Sequence, residues 1–179
     1  MSMDPNKIIF KTSIWGMSIF MYMMGVEAGN ARAEAILLGN DGAWESSTEK
    51  AGKKQVCFMA SEPVKRTGKV KGRGRSYLMV AHRPQEKSLN VVSYRAGYDF
   101  KAYSDAKVVV GKKTFKMFTD NGYAFAYDSK TDAALVKAMI RGATLKITGL
   151  TKNGKKMTDT YSLKGFSAAF KRISKACKV

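Results

Sequence analysis

The chain has 179 residues, with 32 Lys and Arg against 14 Asp and Glu, and a formal net charge of +18 at pH 7. That length fits one domain with a substantial buried core, and a charge of this size keeps the chain soluble while drawing it toward anionic surfaces. A single histidine, two distant cysteines and no acidic run supply no metal-ligand set and no C-x-x-C motif, so neither a metal nor another cofactor is expected.

The chain opens with Lys7 and Lys11 ahead of an apolar block over residues 12–26, followed by Ala31-Arg32-Ala33. A positive region, a short apolar stretch and an A-x-A site read as a cleaved export signal, with the cut expected between Ala33 and Glu34. The block is short of the roughly 20 apolar residues that a spanning helix needs. An uncleaved anchor is the alternative, and peripheral contact with a membrane fits the charge. The leader holds Lys7, Lys11 and Arg32 against Asp4 and Glu27, so residues 34–179 keep nearly all of the positive charge as one domain.

Alternating apolar and polar residues then predict strands over 55–60 (QVCFMA), 76–83 (SYLMVAHR), 88–95 (SLNVVSYR), 107–110 (KVVV), 113–119 (KTFKMFT), 123–127 (YAFAY), 144–150 (TLKITGL) and 156–163 (KMTDTYSL). Asp120-Asn121-Gly122 and Lys152-Asn153-Gly154 are hairpin turns, because Asn and Gly accept positive φ at little cost. Phe115, Met117 and Thr119 share one strand face while Lys116 takes the other, as in an antiparallel sheet with one wet face. Ser129 to Asp132 resembles a capping box that starts a helix ending at Gly142. A second helix is expected near residues 166–176, with Phe166, Phe170, Ile173 and Cys177 on one face. The pattern predicts a mainly β fold: an antiparallel, immunoglobulin-like β-sandwich with two α-helices, one of them C-terminal.

Outside the cytoplasm Cys57 and Cys177 are expected to pair. The bond would close a loop of roughly 120 residues, worth about 4–5 kcal/mol on a chain-entropy argument. Two buried free thiols are the alternative.

Residues 62–74 (EPVKRTGKVKGRG) read as a mobile basic loop. Lys65, Arg66, Lys69, Lys71, Arg73 and Arg75 are candidate contacts for an anionic partner, whether an envelope or host-surface glycan or a lipid headgroup. Lys69 to Arg75 (KVKGRGR) could also neutralise nucleic-acid phosphates with Tyr77 stacking on a base. Export and the lack of a nucleic-acid fold signature argue against that partner. A solvated loop with no specific partner is the plainer reading. Tyr94, Tyr98 and Tyr103 are read as exposed aromatics, with Tyr94 and Tyr98 as candidate contacts and core packing as the rival. His82, the sole imidazole, sits at a strand end with no nucleophile or carboxylate tied to it by spacing, so a surface role is the default and catalysis the minor alternative. Asp120, Asp128, Asp132 and Asp159 are read as turn or cap residues.

Residues 81–101 (AHRPQEKSLNVVSYRAGYDFK), 118–142 (FTDNGYAFAYDSKTDAALVKAMIRG) and 158–177 (TDTYSLKGFSAAFKRISKAC), with Arg83-Pro84, Gly97-Tyr98 and Ala138-Met139, resemble the invasion-associated locus B family of alphaproteobacteria. Asp99, Phe125 and Lys155-Lys156-Met157 depart from that family's usual residues, at positions that touch packing and one turn. The resemblance implies an exported protein of the periplasm or outer membrane. It also implies a part in entry of pathogens into red blood cells, with no catalysis and no cofactor. The expected function is that of a non-enzymatic envelope or binding protein. An envelope-integrity factor without a host role is the first alternative, and an enzyme using His82 the second.

Overall fold

A computed structural model describes residues 35–52 and 54–179. The expected leader and its cut at Ala33–Glu34 lie outside the described residues. Among the described residues, eleven strands and two α-helices follow one another. The strands are β1 (Ala35–Asp41), β2 (Trp44–Ala51), β3 (Lys54–Ser61), β4 (Lys65–Thr67), β5 (Tyr77–Arg83), β6 (Ser88–Arg95), β7 (Asp105–Val110), β8 (Lys113–Asp120), β9 (Tyr123–Ala126), β10 (Thr144–Leu150) and β11 (Lys156–Ser162). Helix α1 (Ser129–Arg141) separates β9 from β10, and α2 (Phe166–Cys177) follows β11.

All strands pair antiparallel in one sheet, in the order β1-β2-β3-β5-β6-β9-β8-β7-β10-β11-β4. The sheet turns its inner face on itself. Trp44 of β2 donates its indole N–H to the Ser162 carbonyl at the end of β11 at 3.0 Å, and Tyr94 of β6 donates to Asp159 of β11 at 2.8 Å. Neither pair is adjacent in the ladder. The expected antiparallel sandwich is therefore present, with its layers belonging to one continuous ladder.

Period-two alternation explains the core. In β3 and β5, Cys57, Met59, Leu78 and Val80 point inward and are fully buried. Met117 does the same in β8, with Phe115 packed against the core and Lys116 outward, as the spacing predicts.

Helix α1 starts one residue earlier than the capping-box reading. Asp128 is the cap, accepting the Thr131 N–H at 2.7 Å, and that bond holds its carboxyl below the usual range. Asp132 turns inward and accepts the Val92 N–H of β6 at 2.8 Å. The short β9 pairs only with Ser93 to Arg95 of β6, and α1 takes over beside β6 where β9 stops.

Helix α2 lays Phe166, Ala169, Ile173 and Cys177 against the inner face of the sheet. Phe166 meets Trp44 edge to face at 4.9 Å between ring centroids. Its cap, Gly165, has φ of +91°, and a side chain there would come within 1.9 Å of the Asp41 carbonyl. Only glycine lets the β1–β2 turn approach so closely. At the far end of α2, Cys177 is bonded to Cys57 of β3 across 120 positions of sequence.

Candidate anion-binding cleft

The basic stretch is not a free loop. Residues 65–67 form edge strand β4, paired with Thr158 to Thr160 of β11. Further along, Arg66 donates to the Gly74 carbonyl at 2.8 Å, and the Gly74 N–H donates to the Gly97 carbonyl at 2.8 Å. Arg75 pairs with Glu62 on the surface.

Arg73 departs most from the sequence reading. Its side chain is 8% exposed, so it is no surface contact. Its guanidinium donates to the Ala96 carbonyl at 3.0 Å and to Asp159 Oδ2 at 2.6 Å. Asp159 is wholly buried, and the same oxygen also accepts from Ser76 and Tyr94. Asp159, expected as a turn or cap residue, is instead the ionic centre of the core. Burial next to this carboxylate pushes the phenols of Tyr94 and Tyr161 far up from their usual values. Tyr94 is 1% exposed, which removes it as a contact. Tyr103 is fully exposed at a positive-φ turn.

Tyr98 is half-buried, its phenol pushed up to about 12 by burial. The Arg73 guanidinium lies 5.2 Å from its ring centroid. Opposite stands the β10–β11 turn. Its backbone is closed by the Gly154 N–H donating to the Thr151 carbonyl at 2.7 Å and the Thr151 N–H donating to the Lys155 carbonyl at 2.9 Å. Between the two segments lies a cleft of about 240 Å³, lined by Lys71, Arg73, Tyr98, Asp99, Lys152 and Lys155 among others. Lys152 pairs with Asp99 at 2.8 Å. Lys71 and Lys155 have no ion-pair partner among the described residues. Arg73 Nη1 and the Tyr98 hydroxyl are buried without a hydrogen-bond partner among those residues. The cleft thus offers the free positive charge of Lys71 and Lys155, which suits an anion.

Of the candidate contacts, Lys71, Arg73 and Tyr98 come together here, while Lys65, Arg66, Lys69 and Arg75 are exposed elsewhere on the same segment. Lys152 and Lys155 were missed, because residues 152–154 read only as a turn. The signal was there in the run of Lys152, Lys155 and Lys156.

His82 also departs from its expected surface position, being 1% exposed in β5. Its Nδ1 accepts the Asn90 backbone N–H at 3.1 Å, which leaves the ring proton on Nε2, 3.1 Å from Ser174 Oγ. In that tautomer Nε2 donates to the serine and cannot act as its base. Burial lowers the imidazole's pKa.

These features define a small antiparallel β domain with a disulfide-tethered terminal helix and a cationic cleft. The chain belongs to the family described as invasion associated locus B (IalB) protein, whose model matches residues 44–174. Comparison with curated proteins and with solved structures yields no match.

Proposed function

We propose that this protein is an exported, non-enzymatic envelope protein that holds an anionic group of an envelope or host-surface glycan or lipid in the cleft between residues 71–73 and 151–155. The observation that carries the reading is that cleft, with two lysines free of ion pairs among the described residues and a buried arginine behind them. Two further features support it. A bonded Cys57–Cys177 pair suits an oxidising compartment outside the cytoplasm. The family's description links it to invasion, for which host-cell association is the corresponding role here.

Retention of the full chain on heparin, and on vesicles containing phosphatidylglycerol, tests the reading against rising salt. Binding should collapse as salt shortens the reach of exposed charges from about 10 Å at 0.1 M to about 3 Å at 1 M. Reversing Lys71, Lys152 and Lys155 together to Glu should weaken it by more than about tenfold at low salt. Retention indifferent to both would overturn the reading.

A further inference from the structure

On the outside of the sheet, strand register builds a second, different feature. Tyr77 of β5 lies opposite Arg95 of β6, and Arg95 lies opposite Tyr123 of β9. Strands about 4.8 Å apart bring the three side chains into one row, and since Tyr94 points inward, Arg95 points out. Its guanidinium carbon sits 5.9 Å from the Tyr77 ring centroid and 5.8 Å from that of Tyr123. Arg95 is exposed and has no ion pair among the described residues. Aromatic faces on both sides hold the charge in place and leave the N–H edge of the fork open.

Beside this row, Tyr77 and Met79 of β5 line a groove of about 540 Å³ together with Phe58, Ala60, Glu45 and Glu62. Glu62 is engaged by Arg75, while Glu45 is exposed with no ion pair among the described residues. On the other flank, Tyr123 stacks on Phe125 at 6.1 Å.

We propose that the Tyr77–Arg95–Tyr123 row recognises the carboxylate of an acidic sugar, with the sugar ring lying against the neighbouring groove. The inference rests on the reading of the protein as a binder of anionic glycans, and it adds a place and a sugar chemistry. A guanidinium placed between two rings can pair bidentately with a planar carboxylate. Aromatic faces carry negative potential that attracts the C–H side of a sugar ring, and the Glu45 carboxylate accepts hydrogen bonds from hydroxyls. A flat membrane surface would leave the groove and the Glu45 carboxylate unused, whereas a sugar ring carrying hydroxyls fills the one and donates to the other. The strands fix the geometry before binding, which limits the ordering cost.

Calorimetric titration of the full chain with sialyllactose, neutral lactose and phosphatidylglycerol vesicles tests the site. Sialyllactose should bind at least about tenfold more tightly than lactose, a difference of about 1.4 kcal/mol. Arg95→Ala should abolish that preference. Arg95→Lys should reduce it, because an ammonium keeps the charge and loses the fork, and this surface exchange leaves the fold intact. Tyr123→Ala should weaken sialyllactose binding. Equal affinity for lactose and sialyllactose, or an unchanged preference in Arg95→Lys, would overturn the inference. So would Arg95-dependent binding to vesicles without binding to sialyllactose, which would make the partner a lipid. Heparin retention that still depends on Lys71, Lys152 and Lys155, with no response to sialyllactose, would sink this site and leave the cleft reading standing.

Discussion

Arg73 and Lys69 stand four positions apart in the same basic stretch and do opposite things. Lys69 is exposed, whereas Arg73 neutralises a carboxylate from which water is excluded. Removing one partner of a buried ion pair leaves an uncompensated charge and typically costs about 3–5 kcal/mol. An exposed lysine's loss stays within about 0.5 kcal/mol. Urea unfolding should therefore show Arg73→Ala strongly destabilised and Lys69→Ala close to the parent chain; equal midpoints would contradict the placement of Arg73. This contrast was not legible in the sequence, since nothing in "KVKGRGR" marks which cation folds inward. The partner Asp159 is equally silent, because its inward position follows from the register of β11. Once that register is known, alternation in "KMTDTYS" puts Met157, Asp159 and Tyr161 on one face.

At the scale of elements, strands written in apolar alternation were readable. The runs at 88–95 and 144–150 coincide with β6 and β10, and the terminal helix carries its apolar stripe as expected. Strand β2 was missed because its inward positions include Ser46 and Thr48, so "WESSTEKA" shows no apolar period. Strand β4 was missed because a three-residue edge strand of Lys-Arg-Thr owes its form to pairing with β11. Helix α2 depends on more than its stripe. It is tied at its start by the close approach at Gly165 and at its end by the bond to Cys57. Replacing both cysteines with serine should lower stability by about 2–5 kcal/mol, because the unfolded chain regains the freedom the cross-link removes. Thermal unfolding of the double variant would read this directly, and an unchanged midpoint would show that the bond does not hold the helix down.

For the whole molecule, the charge of +18 gains meaning only from where the protein resides. In the cytoplasm such a surface would meet nucleic acid; in the proposed envelope location it would meet anionic glycans and lipid headgroups. The proposed export and the proposed use of the cationic cleft are tied to the cross-link between β3 and α2, because that bond suits an oxidising compartment outside the cytoplasm. The most direct test is peptide mapping by mass spectrometry, under non-reducing conditions, of the protein isolated from envelope fractions of its native cells. The account predicts a chain beginning at Glu34 and a single cross-linked peptide joining Cys57 to Cys177. A chain that retains Met1 and carries two alkylatable thiols would contradict it.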